Sequence, residues 1–217
     1  MSPAPDRSPL PIAVLISGGG TTLKNLIERR SRGDLPVAIR QVISSTSTAG
    51  GLRFAETAGI PHHVIRRRDH VSAEAYSQAM FDCLRSAEVD YVVMGGFLQH
   101  LLIAEDFRLR VVNIHPSLIP SFSGQGMYGL RVHQAALAYG VKVSGCTVHF
   151  VDDQYDHGPV ILQRVCPVND DDTAETLQRR VFGLECEALP EALTLLQQGR
   201  LIVSADGRHV RCQLPLP

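Results

Sequence analysis

Ile12-Ala13-Val14-Leu15-Ile16-Ser17-Gly18-Gly19-Gly20-Thr21-Thr22-Leu23 runs from an apolar, β-branched segment through three glycines into the start of a helical pattern. Locally this is strand, tight turn, helix. Such a junction leaves the first N–H groups of the helix unpaired at the positive end of its dipole, and glycine lets an anion approach the backbone closely. A phosphate site is one reading of the turn, and a glycine-eased packing of helix on sheet is the other. A Walker A loop would close with Gly-Lys-Ser/Thr, and a dinucleotide fold would carry an acidic residue after the second strand. Lys24 is displaced from that position, and the second apolar run ends in Ser44-Ser45-Thr46. The anion expected is therefore that of a phosphorylated metabolite, in preference to ATP or NAD.

Outward from this junction, short β-branched runs alternate with helical patterns. Strands are expected over 12–17, 37–45, 63–66, 91–95 and 111–115, with helices over 23–30, 52–58 and 73–86 between them. The rhythm predicts an α/β fold, an open, mostly parallel twisted sheet with helices on both faces. After residue 115 the texture changes. Pro116, Pro120, Gly124, Gly126 and Gly129 crowd residues 116–129 into a loop longer than an ordinary connection, expected to be a mobile lid or binding loop. Two apolar strands, 146–151 and 159–168, flank the turn-rich 152–158, so the C-terminal part of the sheet should be mixed or antiparallel. Leu177, Val181, Leu184, Ala188 and Leu189 then recur at helical spacing behind Asp170, Asp171, Asp172 and Thr173. Residues 1–10 are Pro-rich and expected to form a flexible tail, with one domain over 11–217.

Composition narrows the partners. The 217 residues are 44% hydrophobic, enough for a continuous core, and 21 basic against 22 acidic residues leave a net charge of -1. No sequence-wide positive field is available for a nucleic-acid backbone, and Arg66-Arg67-Arg68 fits a solvated strand end. Five cysteines without a CxxC pair suggest neither a disulfide framework nor a zinc knuckle, so no metal is expected and a reducing, cytoplasmic setting fits. No apolar run approaches the ~20 residues of a membrane span. Small molecules are the expected partners; monomer and homodimer both remain open.

Asn113 and His115 lie two apart on an expected strand, so their side chains share a face, and Pro116 favours extended geometry at His115. They stand at the C-terminal end of that strand, where open α/β sheets place their crevice. Asp156, in the turn between the last two strands, can fold back against them. An amide to stabilise an oxyanion, an imidazole to relay a proton and a carboxylate to hold the imidazole charged and oriented suit acyl transfer. No Ser or Cys nucleophile is required if the substrate brings its own amine. The alternative is structural: His115 capping the loop and Asn113 bonding the backbone.

The segments 17–23, Gly95-Gly96-Phe97-Leu98, Asn113-Ile114-His115-Pro116-Ser117-Leu118-Ile119-Pro120 and Gly145-Cys146-Thr147-Val148-His149-Phe150-Val151, continuing to Asp156-His157-Gly158-Pro159, together resemble the folate-dependent formyltransferase family. The likeness runs in order from about residue 12 to 190, and its last two motifs are the specific ones. It implies transfer of the formyl group of 10-formyltetrahydrofolate, as co-substrate, to the amine of glycinamide ribonucleotide in purine synthesis, with Asn113, His115 and Asp156 as the catalytic trio. It further implies that Gly19, Gly20, Thr21 and Thr22 receive the ribose phosphate and that Glu185 helps to hold the glycinamide part. Phe97, Leu98, Gln99, His100 and Leu101, with Asn113, Asp152, Asp153 and Asp156, would line the folate pocket. On this view 11–101 is the phosphate-binding half, and 102–217 the folate-binding and catalytic half. Thr22, Gln99 and Ala73 depart from the Asn, Arg and Arg frequent in the family. The rival the likeness allows is a formyltetrahydrofolate deformylase, which hands the formyl group to water; such enzymes usually carry His-His-Ser where this sequence has His115-Pro116-Ser117, and a preceding regulatory domain.

Overall fold

Every residue of the strand β1 (Leu10–Ile16) except Pro11 is buried, which requires cover on both faces. Ile12, Val14 and Ile16 join a core with Leu23 and Leu26 of α1 (Thr21–Arg32) and with Leu177, Val181, Leu189 and Leu193 of α5 (Ala174–Gln197). Ala13 and Leu15 point the other way, into a second core with Tyr76, Met80, Phe81 and Leu84 of α3 (Ala73–Ser86). Each Val, Leu, Ile, Met or Phe side chain among them taken from water contributes about 1.5–3 kcal/mol.

The computed structural model describes residues 8–213. Its seven-stranded sheet has the order β3-β2-β1-β4-β5-β6-β7. The strands β2 (Val37–Ser44), β3 (His62–Val64), β4 (Tyr91–Met94) and β5 (Val111–His115) run parallel to β1, with α2 (Leu52–Thr57) between β2 and β3. The strands β6 (Val143–Phe150) and β7 (Val160–Pro167) are antiparallel to their neighbours, the mixed C-terminal part that the sequence predicts. Strand order reverses at β1 and β4, so the turns leaving these strands and β5 open into one crevice.

Three expectations need adjustment. Of the tail expected over 1–10, residues 1–7 lie outside the described residues, whereas Leu10 is buried in β1 and its N–H donates to Pro36 O (2.9 Å). A helix absent from the sequence reading, α4 (Leu130–Tyr139), follows the 116–129 loop; it starts at Gly129 with φ 56° and no capping side chain, which removes the usual start signal. A small hairpin, β8 (Leu201–Val203) with β9 (Val210–Cys212), follows α5. The start of α5 is a capping box of Thr173 and Thr176, while Asp172 pairs with Arg180 at 2.6 Å.

Candidate active site

The glycine turn serves packing as well as any ligand. Gly20 has φ 72°, and a Cβ there would sit 2.4 Å from Gly51 Cα, so the turn is tied to the start of α2. No side chain caps α1, which leaves its first-turn N–H groups for an anion. Ser17 ties the turn to its neighbours. Its hydroxyl accepts from Leu98 N–H (2.9 Å) and bonds Ser45 Oγ (2.7 Å), fixing the loop after β4 beside the turn.

A cleft of about 820 Å³ begins there. Thr21, Thr22, Phe97, Leu98, Asn113, His115, Asp156 and Glu185 all line it. Strand pairing brings the polar trio together: His115 and Asn113 face Thr147 and His149 across β6, and a register irregularity at Val148/His149 leads into the turn that carries Asp156. Asp156 adopts φ 51°, a left-handed conformation that costs a non-glycine residue about 1–2 kcal/mol. Gly158 makes that turn possible, since a Cβ there would lie 2.0 Å from Phe150 O.

The carboxylate of Asp156 is the hub. Oδ2 accepts from Gly124 N–H (2.9 Å) and stands 3.5 Å from His115 Nδ1, while Oδ1 accepts from Asn113 Nδ2 (3.4 Å). His115 Nε2 donates to Phe122 O (2.9 Å), so both nitrogens of this buried ring face acceptors. The 116–129 loop is thus fastened to the trio twice, at Phe122 and at Gly124. Thr147, buried opposite His115, anchors the start of the loop by donating to Ser117 O (2.6 Å) and accepting from Ile119 N–H (3.1 Å).

His149 was not singled out from the sequence, although it lies within one of the specific motifs. Its Nδ1 donates to Phe150 O (2.8 Å), leaving Nε2 to accept from Asn113 Nδ2 (3.1 Å). The alternative amide orientation would set Asn113 Oδ1 against a lone pair and a carboxylate, so the bond fixes the amide. Burial pushes the His149 ring below its usual range and keeps it neutral. Both hydrogens of the Asn113 amide therefore face protein acceptors, the one toward Asp156 at the longer distance.

The other expected residues separate. Gln99, His100, Leu101 and Asp152 line a small recess next to the cleft, sharing Phe97, Asn113, Tyr155 and Asp156 with it. Asp153 lines neither: its carboxylate accepts from Ile103 N–H (2.9 Å) and its carbonyl from His100 Nε2 (2.9 Å), so its side chain fixes the loop after β4. Gly19 and Gly20 also lie off the lining, behind Thr21. Glu185 makes no hydrogen bond or ion pair among the described residues, and burial pushes its carboxyl up to about 8. Arg131, His133, Gln178, Arg179 and Phe182, none expected, complete the walls from α4 and α5. Among the described residues, no group of three or more His, Cys, Asp or Glu is placed to hold a metal ion, and no helix is long and apolar enough to cross a membrane.

A doubly covered α/β sheet whose crevice joins an amide, an imidazole and a carboxylate to a free helix start is a framework suited to group transfer. Comparison with known proteins agrees. Residues 10–193 match the formyl transferase family model, and the chain belongs to that family. It is 36% identical over 198 residues to a chloroplastic phosphoribosylglycinamide formyltransferase of Vigna unguiculata, covering 90% of this chain and 64% of the relative. It is 37% identical over 199 residues to the trifunctional purine biosynthetic protein adenosine-3 of Homo sapiens, covering 91% of this chain and 19% of that one. The chain thus spans less than two thirds of these relatives. Among solved structures, glycinamide ribonucleotide transformylase 1 of Symbiobacterium toebii superposes with a TM-score of 0.86 at 38% identity, with 94% of each chain covered. Phosphoribosylglycinamide formyltransferase of Anaplasma phagocytophilum gives 0.81 at 35%, with 96% of each covered.

Proposed function

We propose that the chain transfers the formyl group of 10-formyltetrahydrofolate to the amine of glycinamide ribonucleotide, a step of purine synthesis. The observation that carries this reading is the meeting of Asn113, His115 and Asp156 in one cleft with Thr21 and Thr22 at the uncapped start of α1. The phosphate rests on that helix start, and the folate enters through the recess formed by Gln99, His100, Leu101 and Asp152. Residues 11–101 supply the phosphate end and 102–217 the trio, although 97–101 also reach the folate side. Five free cysteines fit a cytoplasmic setting.

The amine nitrogen attacks the formyl carbon, whose oxygen becomes an oxyanion. The Asn113 N–H now 3.4 Å from Asp156 turns to that oxygen, while His149 retains the other hydrogen of the amide. Asp156 orients His115 through Nδ1, and Nε2 must leave Phe122 O, to which it now donates, to stabilise the oxyanion and pass the proton lost by the amine to the departing folate nitrogen as the carbon–nitrogen bond to folate breaks. No protein nucleophile enters. An absorbance assay of formyl-folate consumption, run with and without glycinamide ribonucleotide, tests the reading: consumption that requires the nucleotide supports it, and equal consumption without it identifies a hydrolase.

A further inference from the structure

One ring in the cleft has no task in this scheme. His133 stands in the first turn of α4, is 1% exposed, and lines the cleft together with His115, Arg131 and Glu185. Its Nδ1 is sealed from solvent and has no hydrogen-bond partner among the described residues. Its Nε2 makes no hydrogen bond among the described residues either, yet is not sealed, so it is the polar atom that the ring offers to the cleft.

The sealed atom decides the tautomer. A neutral imidazole carries one hydrogen, on Nδ1 or on Nε2. On Nδ1 it would be a buried donor without an acceptor, the rarer and costlier orphan, worth about 1–3 kcal/mol. On Nε2 it leaves Nδ1 as an idle lone pair and turns an N–H toward the cleft. Burial, and secondarily the nearby His115, push this ring down to about 4, so it carries no charge near neutrality. The titratable groups lining the same cleft are His115, Asp156, Glu175 and Glu185, with Tyr128, Tyr155, Arg131 and Arg179.

We propose that His133 is a binding residue for the amine substrate, its Nε2–H donating to an uncharged oxygen, ribose hydroxyl or amide carbonyl, between the phosphate and the reacting amine. The proposal rests on the function argued above. An uncharged donor suits that middle stretch, because the phosphate end has the α1 N–H groups and the reacting end has the trio. It also adds no charge beside His115. The folate co-substrate makes no use of this donor.

Long-range proton–nitrogen spectra of histidine-labelled enzyme test the donor without any mutation. His133 should show the neutral Nε2–H pattern from pH 5.5 to 8, and its Nε2 signal should move on addition of glycinamide ribonucleotide but not of a folate analogue. Kinetics provide the second arm. His133→Phe should raise KM for the nucleotide about fivefold to tenfold, the size of one lost hydrogen bond, with KM for formyl-folate unchanged. His133→Gln, which restores an N–H at a similar reach, should recover most of the loss. A hydrogen on Nδ1, a titration near 6.5, or an unchanged nucleotide KM in a folded His133→Phe enzyme would overturn the proposal. Wild-type enzyme that leaves the nucleotide unformylated would instead sink the functional reading, and a His133→Phe that does not fold leaves the spectra of the wild type to decide. In the spectra, nucleotides lacking the 2′ and 3′ hydroxyls separate the two oxygens: a response kept without the hydroxyls assigns the carbonyl.

Discussion

Replacing Asp156 by Asn removes one charge at constant shape and leaves the trio one acceptor short. Both carboxylate oxygens accept hydrogen bonds, Oδ2 from Gly124 N–H and Oδ1 from Asn113 Nδ2, with His115 Nδ1 3.5 Å from Oδ2. Asparagine has one acceptor oxygen, so either Gly124 or Asn113 must face an NH2 group, and the neglected donor costs about 1–3 kcal/mol. His115 loses the carboxylate that orients it in either case. Acid–base groups and oxyanion donors are each worth roughly 10² to 10⁴ in rate, so turnover should fall at least a hundredfold, about 2.7 kcal/mol of transition-state stabilisation. His115→Ala should lose a similar factor. Because the residues act as a unit, the double variant should be little worse than the poorer single one. Rapid-quench measurement of the chemical step for the three variants, with hydrogen exchange at the Gly124 amide, checks this. Near-wild-type turnover for Asp156→Asn, or losses that multiply in the double variant, would remove Asp156 from the mechanism.

The pH dependence of stability offers an independent check through Glu185. Its carboxyl is neutral more readily in the folded state than in the unfolded chain, so its penalty is absent below about pH 4.5, grows as pH rises, and is complete above the folded value of about 8. Glu185→Gln should therefore raise Tm at pH 9 by an amount corresponding to a few kcal/mol and do little at pH 4.5; a pH-independent difference in calorimetry would contradict the burial argument. Gly158→Ala should destabilise by at least about 2 kcal/mol and displace the Asp156 turn, because its Cβ meets Phe150 O, whereas Gly18→Ala, with open space around it, should be benign in denaturant titrations. Equal midpoints for the two would refute the packing account.

The parallel half of the fold was legible because its signals are local. The apolar run of β1 and the Ala73–Ser86 periodicity decide their own structure, and α3 occupies the span expected. The helix α4 was not, because Gly129 gives no cap and its inward face consists of Val132, His133 and Ala136, too small and too polar for a clear apolar stripe. The trio could be anticipated from an alternating strand and an acidic turn. The neutral His149 that orients Asn113 depends on cross-strand register next to an irregularity, which a single sequence does not display. Asp152 and Asp153 look alike in sequence, yet turn geometry sends only the first toward the recess beside the cleft.

The most direct measurement is a single turnover with formyl-labelled 10-formyltetrahydrofolate and excess enzyme, quenched on the millisecond scale, tracing the label into nucleotide or formate. The account predicts that the label appears on glycinamide ribonucleotide as fast as it leaves the folate and stays on folate when the nucleotide is omitted. Label released as formate at the same rate with or without the nucleotide would contradict it.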